Sequence, residues 1–223
     1  MVLLAIDTSG KNGSLALARL PDKGGEIAVL EVVPLVGGTF SAQLVPQIAA
    51  LLDKHGFTKA DIAGFAVASG PGSFTGLRVG LAAVKALAEV LQAPIAAISL
   101  LEAVAHSAEI AGPVLSVLDA GRGQLYVGLY DGTPLQMQTE RLLSREELAA
   151  EARERVIVTP DPQLADDVRA AGFQVAVAPY PRSDVIARLG WKRILRHETV
   201  SPEALEANYI RRSDAEIFSL PKH

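Results

Sequence analysis

At 223 residues the chain can bury one large core or two small ones. It has no cysteine, which excludes a disulfide framework, a thiolate metal site and a cysteine nucleophile together. The net charge of −4 argues against a protein that coats itself in nucleic acid, and the 49% apolar fraction points to surface hidden in a subunit interface. Charge is unevenly spread. Residues 182–212 hold seven Lys/Arg against four Asp/Glu, while residues 1–181 hold thirteen against nineteen. Such a run is either a solvated basic helix or a minor contact with a polyanion. No basic segment precedes Val2–Ile6 and Asp7 cuts that apolar run short, so no signal peptide is expected. The apolar region Gly80 to Leu101 is broken by Lys85, Glu89, Gln92 and Pro94, so no membrane span is expected and the location read from the sequence is cytoplasmic.

In chain order, Val2–Ile6, Ser14–Leu20 and Ile27–Val33 read as strands joined by glycine-containing turns. A helix follows, with Phe40, Leu44, Val45, Ile48, Leu51 and Leu52 on one face. Then come a strand (Ile62–Ala68), a long helix (Thr75–Leu91), a short strand (Ile95–Ile98) and a helix (Leu100–Glu109). Beyond Gly112 the order restarts. Val114–Leu118, Gln124–Tyr130 and Leu135–Leu142 read as strands, Arg145–Ala152 as helix, Val156–Val158 as strand, Leu164–Ala171 as helix and Val175–Ala178 as strand. A last helix covers about Val185–Leu195. Each half opens with a hydrophobic strand ending in Asp (Asp7, Asp119), then a glycine-rich turn and a returning strand. This is an internal duplication. It predicts an α/β fold of two βββαβα lobes, the actin and sugar-kinase architecture. The first lobe is residues 1–111 and the second, smaller and degenerate, is 112–223, with a C-terminal segment able to pack back on the first.

In that architecture the opening hairpins can cradle nucleotide phosphates, with small residues admitting the anion and Asp holding a magnesium water. Asp7, Thr8, Ser9, Asp119 and Gly121 are the candidates; the alternative is that both Asp residues only accept turn N–H groups. A nucleotide site also needs a glycine pair to admit adenine. The matching stretch is Val158-Thr159-Pro160-Asp161-Pro162, so the site reads as incomplete. Ser69-Gly70-Pro71-Gly72-Ser73-Phe74-Thr75-Gly76 links a strand to a helix and is a tight turn or an anion-binding helix start. No Gly-Lys-Ser/Thr closes it, so it is not a Walker A loop. The helix after it is apolar almost all round. Arg78, Lys85, Glu89 and Gln92 form a narrow polar stripe between a large flank (Leu77, Leu81, Val84, Ala88, Leu91) and a smaller one (Val79, Ala83, Ala86, Val90). One sheet cannot cover so wide a face, so a partner helix or the other lobe must. No His pair stands at i, i+3 or i+4, and no serine sits in a Gly-x-Ser-x-Gly elbow.

Leu4-Ala5-Ile6-Asp7-Thr8-Ser9, the Gly70–Gly80 stretch, Asp119-Ala120-Gly121-Arg122-Gly123-Gln124-Leu125-Tyr126 and the late Ala207-Asn208-Tyr209-Ile210-Arg211 resemble the TsaB (YeaZ) family, in order and over nearly the whole chain. The resemblance implies an actin-like fold of the ASKHA and ribonuclease H-like kind. It also implies a non-catalytic subunit of the machinery that forms N6-threonylcarbamoyladenosine at position 37 of tRNA. The implied partners are the catalytic relative TsaD, which this subunit would activate, and TsaE through the TsaB–TsaD pair. A homodimer is implied when TsaD is absent, and contact with tRNA only indirectly or weakly. No cofactor is implied beyond weak ATP or ADP at the interface with TsaD. TsaD carries a His-His-Met-Glu-Gly-His run that holds its metal where this chain has Ser99-Leu100-Leu101-Glu102-Ala103-Val104, whose leucines and valine cannot ligate a cation. The expected partner surface is Phe40, Leu44, Ile48, Leu77, Arg78, Leu81, Lys85 and Ala88. The family often has His where this chain has Phe40. The rivals are a sugar-kinase-like phosphotransferase, supported by the two Asp hairpins, and a self-sufficient homodimeric scaffold built on the same apolar helix.

Overall fold

The computed structural model describes residues 1–22, 25–110, 112–152 and 154–211. Two five-stranded sheets form the frame. The first contains β1 (Val2–Asp7), β2 (Asn12–Arg19), β3 (Ala28–Val36), β4 (Ile62–Gly70) and β5 (Ile95–Ser99), in the order β3-β2-β1-β4-β5. Three helices belong to the same half: α1 (Phe40–Lys54), α2 (Phe74–Leu91) and α3 (Leu100–Ser107). The second sheet contains β6 (Val114–Gly121), β7 (Gln124–Asp131), β8 (Gln136–Ser144), β9 (Val156–Thr159) and β10 (Val175–Val177), in the order β10-β9-β6-β7-β8. Its helices are α4 (Arg145–Glu151) and α5 (Pro162–Ala170), and α6 (Ser183–Leu195) closes the series. In both sheets the first strand pairs antiparallel with the second and parallel with the fourth. The duplication read from the two Asp hairpins is therefore a duplication of sheet topology.

Alternation along β1 sorts the core. Val2, Leu4 and Ile6 join α1 and α2 on one face of the first sheet, while Leu3 and Ala5 meet Ile186, Ala187 and Leu189 of α6 on the other. The two halves exchange helices. α6, late in the chain, covers the first sheet, and α3 covers β6 and β7 of the second through Leu100, Leu101 and Val104. Gly190 permits the close approach of α6, since a Cβ there would lie 2.3 Å from Ala66 Cβ. A polar network ties the halves. Glu140 of β8 accepts from Ser99 Oγ, from the Tyr130 hydroxyl and from Asn208 Nδ2 at 2.7 Å. Burial pushes the Glu102 carboxyl up, and Arg193 of α6, donating to it at 2.5 Å, pulls the other way. Among the described residues no helix is long and apolar enough to cross a membrane.

Candidate functional site

Two regions qualify. The first is the cleft between the opening hairpins. Asp7 is 2% exposed, and its Oδ1 accepts from Ser9 N–H at 2.8 Å and Ser9 Oγ at 2.6 Å. This is an Asx turn, and burial pushes the carboxyl up despite those bonds. The backbone beyond it is occupied. Thr8 Oγ1 donates to Gly76 O at 2.8 Å, and Ser73 N–H donates to Ser9 O at 2.7 Å. A Cβ at Gly72 would meet Ser9 O at 2.4 Å, one at Gly76 would meet Thr8 O at 2.1 Å, and one at Gly80 would meet Thr8 Oγ1 at 2.4 Å. The glycine-rich stretch thus lets the start of α2 lie directly on the end of β1. Its glycines serve chain-to-chain contact, and Ser73 Oγ caps α2 by accepting from Gly76 N–H at 3.3 Å.

The rest of the cleft is lined from both halves of the chain. Tyr180, between β10 and α6, bonds Ser9, and its hydroxyl is pushed up to about 12, mainly by burial and then by the Asp7 charge. It is 43% exposed overall, so the ring faces the cleft while the hydroxyl is desolvated. The remaining space, about 410 Å³, is lined by Lys11 but also by Asp119 and Asp161. Without a bound cation, two acids against one base disfavour a free anion. Asp119 accepts from Gly121 N–H at 3.0 Å, and Gly121 O is taken by Arg211 Nη2 at 3.1 Å. Asp161 is the N-cap of α5, accepting from the N–H groups of Gln163 and Leu164. Among the described residues no three His, Cys, Asp or Glu side chains converge as metal ligands. Leu100, Leu101 and Val104 lie in the core.

The second region lies on α1 and α2. Here the structure corrects the partner surface expected from sequence. Phe40, Leu44, Ile48, Leu77, Leu81 and Ala88 are all buried within the chain's own core, packed between the two helices and the first sheet. The large flank of α2 faces inward because only large side chains fill the space above the sheet. Ala86, Val90 and most of the polar stripe are left outside, while Val79 and Ala83 are half-buried against the core. Of the eight expected residues, only Arg78 is exposed and Lys85 half-exposed. An open groove of about 490 Å³ runs between the helices, lined by Ser41, Val45, Phe74, Arg78, Val79 and Ala82 among others. Val45 is 58% exposed, Phe74 40% and Val90 74%. At one end Arg78 stacks over the Phe74 ring at 3.7 Å and donates from Nε to the Tyr209 hydroxyl at 3.2 Å. The Phe74 and Tyr209 rings are 5.2 Å apart. Sequence reasoning missed Phe74, Val45 and Tyr180. The helical wheel placed Val45 on the apolar face, but the other two carry no periodic signal. Phe40, where the family often has His, packs its ring 3.0 Å from the position of a Cβ on Gly13, a core role.

Comparison with known proteins agrees with this architecture. The family model described as "TsaD: tRNA N6-adenosine threonylcarbamoyltransferase" matches residues 32–185. The Bacillus subtilis tRNA threonylcarbamoyladenosine biosynthesis protein TsaB is 31% identical over 97% of this chain and 96% of its own length. The Escherichia coli protein of the same name is 32% identical over 58% of this chain and 55% of its own. A Pseudomonas aeruginosa crystal structure described as similar to peptidase YeaZ superposes with a TM-score of 0.76 at 25% identity, covering 94% of this chain and 99% of that one. With the TsaB match running nearly end to end and the duplicated sheets in place, the chain belongs to the TsaB (YeaZ) family of tRNA threonylcarbamoyladenosine biosynthesis proteins.

Proposed function

We propose that this chain is an accessory subunit that docks to a TsaD-family threonylcarbamoyltransferase through the α1–α2 groove and holds it in its active form. One observation carries the reading: α2 already uses its large flank for the chain's own core, yet Val45, Phe74, Ala82, Ala86 and Val90 remain outside as a second apolar face. Contiguous apolar surface on a monomer marks an interaction site. Helices of this kind bury such faces against a partner's helices at 8–10 Å separation. When the partner is absent, the same groove pairs two copies of the chain, and a TsaE-type ATPase joins only through the assembled pair. No bond-making role falls to this chain, and it works in the cytoplasm.

Mixing the purified chain with the TsaD-family protein of the same organism tests this. The expected result is a stable complex by size exclusion with light scattering, and modified tRNA only when both are present along with the adenylate donor. Modification by this chain alone, or full activity of the partner without it, sinks the proposal. Nucleotide is the related point. With Asp119, Asp161 and Tyr180 in the cleft, the isolated chain is expected to bind ATP no tighter than about millimolar, on the order of −4 kcal/mol. Calorimetry showing micromolar affinity would restore the kinase-like reading.

A further inference from the structure

The outer face of α6 carries a charge pattern that neither the cleft nor the groove uses. Arg188, Lys192 and Arg196 are exposed and follow one another at intervals of four residues. They form a row along the helix with about 6 Å of rise per step. Among the described residues, none of the three makes a side-chain ion pair or hydrogen bond. The neighbouring cations differ. Arg193 points inward to Glu102, and Arg182 pairs with Asp184 at 3.4 Å. A favourable helix-end dipole accounts for Lys192 and Arg196, near the C-terminus, but not for Arg188 in mid-helix.

Beside this row lies an open cleft of about 560 Å³ between the end of α3, the Pro179–Arg182 turn and α6. His106, Arg188 and Lys192 line it. His106 is held below its usual range by burial and then by the Lys192 charge, and both side chains line the cleft. The cleft also contains Asp184, already taken by Arg182, and Glu109. Local charge is therefore positive on a chain whose total is −4.

We infer that this α6 face, with its adjoining cleft, is a secondary contact for the phosphodiester backbone of RNA. A row of exposed, unpartnered cations is the electrostatic footprint of a phosphate-tracking surface. The remote acids do not cancel it, because charges more than about 10 Å away are largely screened at 0.1 M salt. A bilayer is the poorer fit, since the apolar side of α6 (Ile186, Ala187, Leu189) is spent on the first sheet and nothing is left to insert. The face also stays free during docking. Leu3 and Ala5 of β1 meet α6, and Val2, Leu4 and Ile6 meet α1 and α2, so groove and row lie on opposite sides of one sheet. That the RNA is tRNA rests on the function proposed above.

Titrating labelled tRNA at several salt concentrations tests the inference, with the full chain alone and with it paired to its TsaD-family partner. The triple variant Arg188→Glu, Lys192→Glu, Arg196→Glu is expected to weaken binding by the pair at least tenfold at 0.1 M salt. It should also flatten the log–log salt slope by about two to three, near one per lost phosphate contact. Arg188→Lys with Arg196→Lys should restore wild-type behaviour, because backbone contact needs charge more than geometry. Size exclusion run in parallel reports pairing. If the chain does not pair, the proposed function fails, and the titration of the chain alone at low salt still decides this point. Unchanged affinity and slope in the triple variant overturn the inference, as does wild-type binding to anionic phosphatidylserine vesicles without binding to tRNA.

Discussion

A single methyl group added at position 76 is expected to lower the stability of this protein by about 3 kcal/mol, the upper part of the range for overpacked sites. The Cβ of Gly76→Ala would lie 2.1 Å from the Thr8 carbonyl oxygen, and no rotamer change can move a backbone atom aside. Either α2 lifts from the end of β1, losing the Thr8 to Gly76 hydrogen bond, or the strand end distorts with Asp7 and Ser9 on it. With a slope of about 2 kcal/mol per molar, the urea midpoint should fall by roughly 1.5 M. Thr75→Ala, one residue away and exposed, should stay within about 0.5 kcal/mol of wild type. A midpoint unmoved by Gly76→Ala would mean that the loop is not pinned to β1. The anion-binding reading of the glycine-rich stretch would then be open again.

The second large effect separates core from the proposed docking surface by one residue. Leu81→Glu places a carboxylate at a position that is 5% exposed, between α1, α2 and the first sheet. An unpaired buried charge costs several kcal/mol, so this variant is expected to melt far below wild type or to aggregate. Ala82→Glu, at the next position, projects into the groove and leaves the core untouched. Its melting temperature should match wild type, while its affinity for the TsaD-family partner should fall about a hundredfold, about 2.8 kcal/mol at 1.4 kcal/mol per decade. Modified tRNA should fall with it. Thermal melts and analytical ultracentrifugation read the two effects apart. Normal pairing by a folded Ala82→Glu would move the docking surface off this groove, and a well-folded Leu81→Glu would refute the packing of α2.

Much of the fold was legible locally, for identifiable reasons. Strand alternation and glycine turns mark both hairpins, and the repeated strand–Asp–glycine–strand pattern announced two lobes because the period of a pleated strand is visible in the residues themselves. The stretch Thr159-Pro160-Asp161-Pro162 reads locally as a turn with no glycine, and in the structure Asp161 is the helix cap of α5. The orientation of α2 was legible only as a question. Periodicity showed that α2 is apolar on two flanks and therefore needs two covers, but a helical wheel carries no information about which flank the sheet takes.

What the sequence by itself determined is the pair of β-rich halves, the absence of cysteine chemistry and the tight strand-to-helix turn at Gly70–Gly80. These rest on local rules of backbone freedom and side-chain alternation. Only the tertiary structure decided that Leu77 and Leu81 point inward, that Tyr180 closes on Ser9 from 171 residues further along the chain, and that α3 and α6 change places between the two sheets. Each of these is a contact between segments distant in sequence. It is chosen by which large side chains fill a shared volume, and that volume exists only once both sheets have formed.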